Sequence, residues 1–267
     1  MAARLNMASL CVCMAVFACV LAPSLNSRNA IIEASLLWDY KEIPFVIRQG
    51  DYSASEVSRI QSAMEEFHQH TCVRFVQRNG QEDYLYIQRL DGCYAWIGQK
   101  HEGAQDVILG DGYCLEKGAI IHELMHAVGF WHEHQRPDRD DWVNILWDNI
   151  IDDKKGDFEK HAESGVSTLG LPYDYSSIMH YGSRSHSKNG QPTIEALFPT
   201  NGLMGQSDGL SSGDIEKINT LYSCGAAAGL TVDEHVVGVD LTLAGTGPVT
   251  TAGMVVLTGA SLGYCAQ

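Results

Sequence analysis

Residues 122 to 132 read HELMHAVGFWH, and this segment constrains the fold more than any other part of the 267-residue chain. On a helix, positions four apart lie one above the other, so His122 and His126 can offer ring nitrogens to a single metal ion. Glu123 occupies a neighbouring side of the same helix, within reach of a water on that metal without being a ligand. Gly129 lets the chain leave the helix abruptly, because without a Cβ it can take a positive φ. The turn brings back His132 as a third ligand. Three neutral imidazoles around one zinc ion leave a position open for water, the arrangement of a catalytic rather than a closed structural site. Ile120, Ile121, Leu124, Met125 and Val128 surround these histidines with apolar side chains, where unpaired imidazoles would be costly. Incidental surface histidines do not fit that setting.

Such a site needs a scaffold, and the flanking sequence supplies one. β-prone runs at Ile43 to Ile47, Val73 to Val76, Tyr84 to Ile87 and Val107 to Leu109 are bounded by turn-forming residues. Ser53 and Glu56 stand three apart as a capping box, and the following Val57, Ile60, Met64 and Phe67 share one helical face. A second apolar helix is predicted from about Gly118 to Val128. Beyond Asp141 the chain is loop-like, rich in Asp, Ser, Gly and Asn, until Asp214 starts a last helix carrying Ile215, Ile218 and Leu221. One sheet with separated helices is an α+β pattern.

The two ends differ from this middle. Arg4, the apolar run Met7 to Ala22 and the small residues around Ala22 and Ser24 predict a secretory signal in residues 1–28, with at most a very short pro-segment. The run is too short and too interrupted to span a bilayer, so no membrane span is expected once the signal is removed. An extracellular protein is expected. Cys72, Cys93, Cys114, Cys224 and Cys265 would remain, and four of them could form two bridges in an oxidising compartment. After Cys224 the composition shifts to Gly, Ala, Thr and Val, and residues 225–267 are read as a tail of unknown structure, although Val237, Val239, Leu241 and Leu243 alternate as in a half-buried strand. With 18 Lys plus Arg against 33 Asp plus Glu, the net charge of -15 repels phosphate backbones and excludes a general nucleic-acid binder. Nothing in the sequence specifies an oligomeric state.

The zinc segment continues without a break as Glu133, His134, Gln135, Arg136, Pro137, Asp138, Arg139 and Asp140, and SIMHY follows at Ser177 to Tyr181. The eleven-residue motif followed by a Met-turn resembles the metzincin clan. Glu133 after the third His, together with SIMHY, resembles the astacin family. TCVRFV at Thr71 to Val76, the Cys93 to Gly98 segment and DYSSIMHY at Asp174 to Tyr181 match in the same order, so the resemblance covers about Asn29 to Cys224.

The resemblance implies a secreted zinc endopeptidase acting on protein or peptide substrates. It also implies a metzincin-type fold of two subdomains, with a twisted mixed sheet and helices above the zinc cleft and a largely irregular part with a late helix below. His122, His126 and His132 would bind one Zn2+ per chain. Glu123 would be the general base for the zinc-bound water and then the proton donor to the leaving amine. Tyr181 would be a displaceable further ligand that turns toward the tetrahedral intermediate, and Met179 a packing base beneath the zinc. Cys72 would pair with Cys224 and Cys93 with Cys114, which leaves Cys265 without a family partner. A cut after Arg28 would free the amino group of Asn29, which in the family is buried toward the residue equivalent to Glu133. His134, His180 and the scattered histidines are expected at the surface or in packing. An inactive relative that binds peptides without cutting them is the alternative, and its expected signature is a missing Glu123 or a missing ligand; none is missing.

Overall fold

The computed structural model describes residues 30–31, 33–162 and 166–225. The expected signal peptide, Asn29, Cys265 and all of the tail beyond Gly225 lie outside the described residues. Along the chain follow β1 (Ala30–Ile31), β2 (Glu42–Ile47), α1 (Ala54–His70), β3 (Arg74–Gln77), β4 (Tyr84–Gln88), β5 (Cys93–Ala95), β6 (Ala104–Leu109), α2 (Lys117–Val128), β7 (Val143–Ile145), β8 (Val166–Ser167), β9 (Ile194–Ala196) and α3 (Ser212–Leu221), with short 3-10 turns between them.

The predicted capping box opens α1. The Ser53 side chain accepts from the Glu56 N–H, and Glu56 Oε2 accepts from the Ser53 N–H at 2.7 Å. That bond, with the Arg89 guanidinium, holds the Glu56 carboxyl down at about 2. Ser53→Ala leaves the N-terminal N–H groups of α1 without their side-chain acceptor. It is expected to lower folding stability by about 1 kcal/mol, read as a lower urea midpoint at unchanged slope.

The sheet has the order β3-β2-β4-β6-β5. Its first four strands are parallel, and β5 runs antiparallel to β6 at the edge. Ile60, Met64 and Phe67 of α1 share one hydrophobic cluster with Ile43, Leu85, Ile87 and Val107 of the sheet and with Ile120, Leu124 and Met125 of α2. The stripe read from α1 is therefore its buried face. By contrast α2 is buried nearly all round, as expected for a helix apolar on every side.

Past Asp141 regular structure is sparse. β7 and β9 pair as a two-stranded ribbon over a second, smaller cluster of Val143, Ile150, Phe158, Tyr173 and Ile194. The late helix does not belong to that cluster: Ile218 and Tyr222 sit in the main core, and the Tyr222 hydroxyl donates to Val128 O at 2.8 Å. It also begins earlier than its apolar spacing predicts. Ser211 is the N-cap and Asp214 closes a second capping box, so Asp214 stands inside the first turn rather than before it. Disulfides join Cys72 to Cys224 and Cys93 to Cys114. The first ties the exit of α1 to the exit of α3, and the second ties β5 to the turn that leads into α2.

Candidate active site

α2 and the turn after it build the site. Gly129 caps the helix at φ +126°, a conformation that favours glycine, and a Cβ there would also press on the tip of Ile31, 2.9 Å from its Cδ1. The reversal returns His132 to His122 and His126, and one ring nitrogen from each lies within 4.8 Å of the others.

Each ring is oriented from behind. His122 Nδ1 donates to Ile178 O at 2.8 Å, His126 Nδ1 to Phe130 O at 2.7 Å, and His132 Nδ1 to Gln135 Oε1 at 3.0 Å. With Nδ1 carrying the proton, Nε2 presents its lone pair to the centre of the cluster. Burial pushes all three imidazoles below their ordinary pKa, His126 to about 3. They are therefore neutral at pH 7. Nε2 of His122 lies 3.2 Å from Nε2 of His132. Two lone pairs facing at that distance repel unless a cation stands between them, and this donor set fits zinc.

Glu123 is 6% exposed, and among the described residues its buried Oε2 has no hydrogen-bond partner. Burial alone pushes its carboxyl up to about 8, and a dication beside the imidazoles would pull it back down. Tyr181 stacks on His134 with ring centroids 4.1 Å apart and lies 4.6 Å from the His132 ring. His134 is a fully buried packing residue, the shelf under that phenol. Burial pushes the Tyr181 pKa above the usual phenol value, so the hydroxyl keeps its proton. Met179 is buried in the main core, and its carbonyl accepts from the Glu133 N–H at 3.0 Å.

Glu133 is wholly buried. Oε2 accepts from Lys217 at 2.7 Å, while Oε1 accepts from Arg136 at 3.0 Å and from the Asp174 N–H at 2.9 Å. Arg136 also forks onto Asp138 at 2.9 and 2.8 Å. Spacing along the chain does not single out Lys217, Gln135 or Asp214. Lys217 and Asp214 are three apart on α3, but their partners lie 84 and 36 residues away.

A cleft of about 860 Å³ opens over the cluster, lined by His122, Glu123, His126, His132 and Tyr181 together with the edge strand β5. Tyr94, Trp96 and Tyr113 stand exposed on its wall. Gly118 and Ser207 also line it, and the Ser207 backbone comes so close to α2 that a Cβ at Gly118 would meet its carbonyl oxygen at 2.1 Å.

Residues 30–223 match the model of the peptidase family described as Astacin. The chain is 46% identical over 198 residues to zinc metalloproteinase nas-13 of Caenorhabditis elegans, covering 74% of this chain and 43% of that protein. It is 40% identical over 207 residues to blastula protease 10 of Paracentrotus lividus, covering 74% and 34%. Thus it spans less than half the length of either relative. Among solved structures, high choriolytic enzyme 1, a hatching enzyme zinc-protease of the medaka Oryzias latipes, superposes with a TM-score of 0.68 at 41% identity, covering 73% of this chain and all of that one. With the match spanning every described element and the three-histidine cluster at its centre, this chain belongs to the astacin family.

Proposed function

We propose that the protein is a secreted zinc-dependent endopeptidase cleaving protein or peptide substrates, with residues 29–224 as its catalytic domain. The observation that carries the reading is the three-imidazole cluster at the base of an open cleft, with a buried Glu123 oxygen beside it that has no partner among the described residues. Family membership and the two disulfides, which suit an oxidising compartment, support it.

His122, His126 and His132 would hold one zinc ion, which when bound supplies Lewis acidity that polarises the scissile carbonyl and acidifies water. Glu123 takes a proton from the attacking water and delivers it to the leaving amine. Tyr181 donates from its hydroxyl to the oxygen on which charge develops. The outer edge of β5, which pairs with no strand among the described residues, offers backbone N–H and C=O groups to an extended substrate as a further strand. Met179 and Glu133 hold the base of the site without touching substrate.

Purified protein is expected to carry one zinc per chain by atomic absorption. A strong chelator should abolish casein hydrolysis, and added zinc should restore it. Full hydrolysis by zinc-free protein would overturn the reading.

A further inference from the structure

His122 is the one ligand whose supporting carbonyl belongs to the 177–179 turn, and that turn is held by a buried carboxylate from α3. Asp214 Oδ1 accepts from the Ser177 hydroxyl at 2.6 Å. The same hydroxyl oxygen accepts from the Met179 N–H at 3.1 Å. The peptide bearing that N–H ends in the Ile178 carbonyl, which accepts from His122 Nδ1 at 2.8 Å. Every bond in this series points the same way, from the imidazole N–H toward the carboxylate. Asp214 Oδ2 meanwhile accepts from the N–H groups of Ile178 at 2.8 Å and Ser211 at 3.0 Å. Asp214 and Ser177 are both fully buried.

We infer that Asp214 and Ser177 are positioning residues for the metal site, forming a carboxylate–hydroxyl–peptide relay that aligns His122 and strengthens it as a ligand. Hydrogen bonds in a chain polarise one another, more so where the dielectric is low. The Asp214 charge draws the Ser177 proton, which leaves the hydroxyl oxygen a better acceptor for the Met179 N–H. Loading that N–H in turn makes the Ile178 carbonyl more negative and a better acceptor for His122 Nδ1–H. The result resembles the contact in which a carboxylate bonds a metal-ligating histidine directly, here extended through one hydroxyl and one peptide unit. The partners of the other two rings are shorter-range: Phe130 O serves His126 and Gln135 Oε1 serves His132.

The inference rests on the zinc reading of the cluster, so the test reads metal affinity and ring protons rather than peptide cleavage. Ser177→Ala removes the middle of the relay. In Asp214→Asn the amide oxygen can keep the Ile178 and Ser211 bonds, but the NH2 then faces Ser177 and opposes the polarisation. Zinc dissociation constants are to be measured by chelator competition on protein shown by circular dichroism to be folded. Both variants are expected to bind zinc about tenfold to a hundredfold more weakly. In zinc-free protein with 15N-labelled histidine, the Nδ1–H resonance of His122 should move upfield in both variants, while that of His126 stays in place. Parent-like zinc affinity in the folded variants, or equal movement of both resonances, would overturn the relay. If the parent itself takes up no zinc, the zinc reading fails, whereas the resonances still decide whether Asp214 polarises His122.

Discussion

Replacing Glu123 with alanine is expected to leave zinc bound at the parent level and to lower the catalytic constant by about a hundredfold to ten-thousandfold. Retention of zinc follows from the geometry: the three imidazoles converge on one point, and each is fixed by its own acceptor behind it. The loss of turnover follows from the state of the carboxyl. Oε2 of Glu123 is buried on the wall of the cleft with no donor among the described residues, a costly condition for a polar atom that serves only the fold. On the proposed mechanism its partners are the attacking water and the leaving amine, both of which carry the protons that a general base and acid exchanges. The measurement pairs zinc content with steady-state kinetics on one peptide. Turnover at the parent rate would remove Glu123 from the chemistry; loss of zinc would make it a ligand.

For Tyr181→Phe the expected result is near-normal zinc content, a Michaelis constant little changed and a catalytic constant about a hundredfold to a thousandfold lower. The ring should stay where it is, because the stack on His134 and the contacts with His132 and Phe158 involve no hydroxyl. Only the donor disappears. A donor aimed at charge that develops during reaction stabilises the transition state more than bound substrate, which is why the effect falls on turnover. Unchanged turnover would assign Tyr181 to packing alone.

The legible and illegible parts of this fold divide by range. Helix α1 can be read from its cap and stripe because both are set by residues three and four apart. The strands β5, β7 and β9 have three residues each, too few to display a period. Asp214 reads as the start of a helix because it precedes Ile215, but the oxygen that caps the helix belongs to Ser211.

The sequence by itself determined the three-histidine cluster, the glutamate next to it and the sharp turn between the second and third histidines. His122, Glu123, His126, Gly129 and His132 lie within eleven residues, where helical geometry alone decides which side chains meet. Tertiary structure alone decided what supports His122 and Glu133, whereas His126 and His132 find their acceptors four and three residues along the chain. Ile178 reaches His122 from 56 residues away, Lys217 reaches Glu133 across 84, and Asp214 reaches the 177–178 turn across 36. Their partners are brought near only by the packing of α3 and the Met179 turn into the core of the sheet. Buried charges and peptide groups take whatever partner the folded chain places beside them, and no spacing along the sequence records that choice.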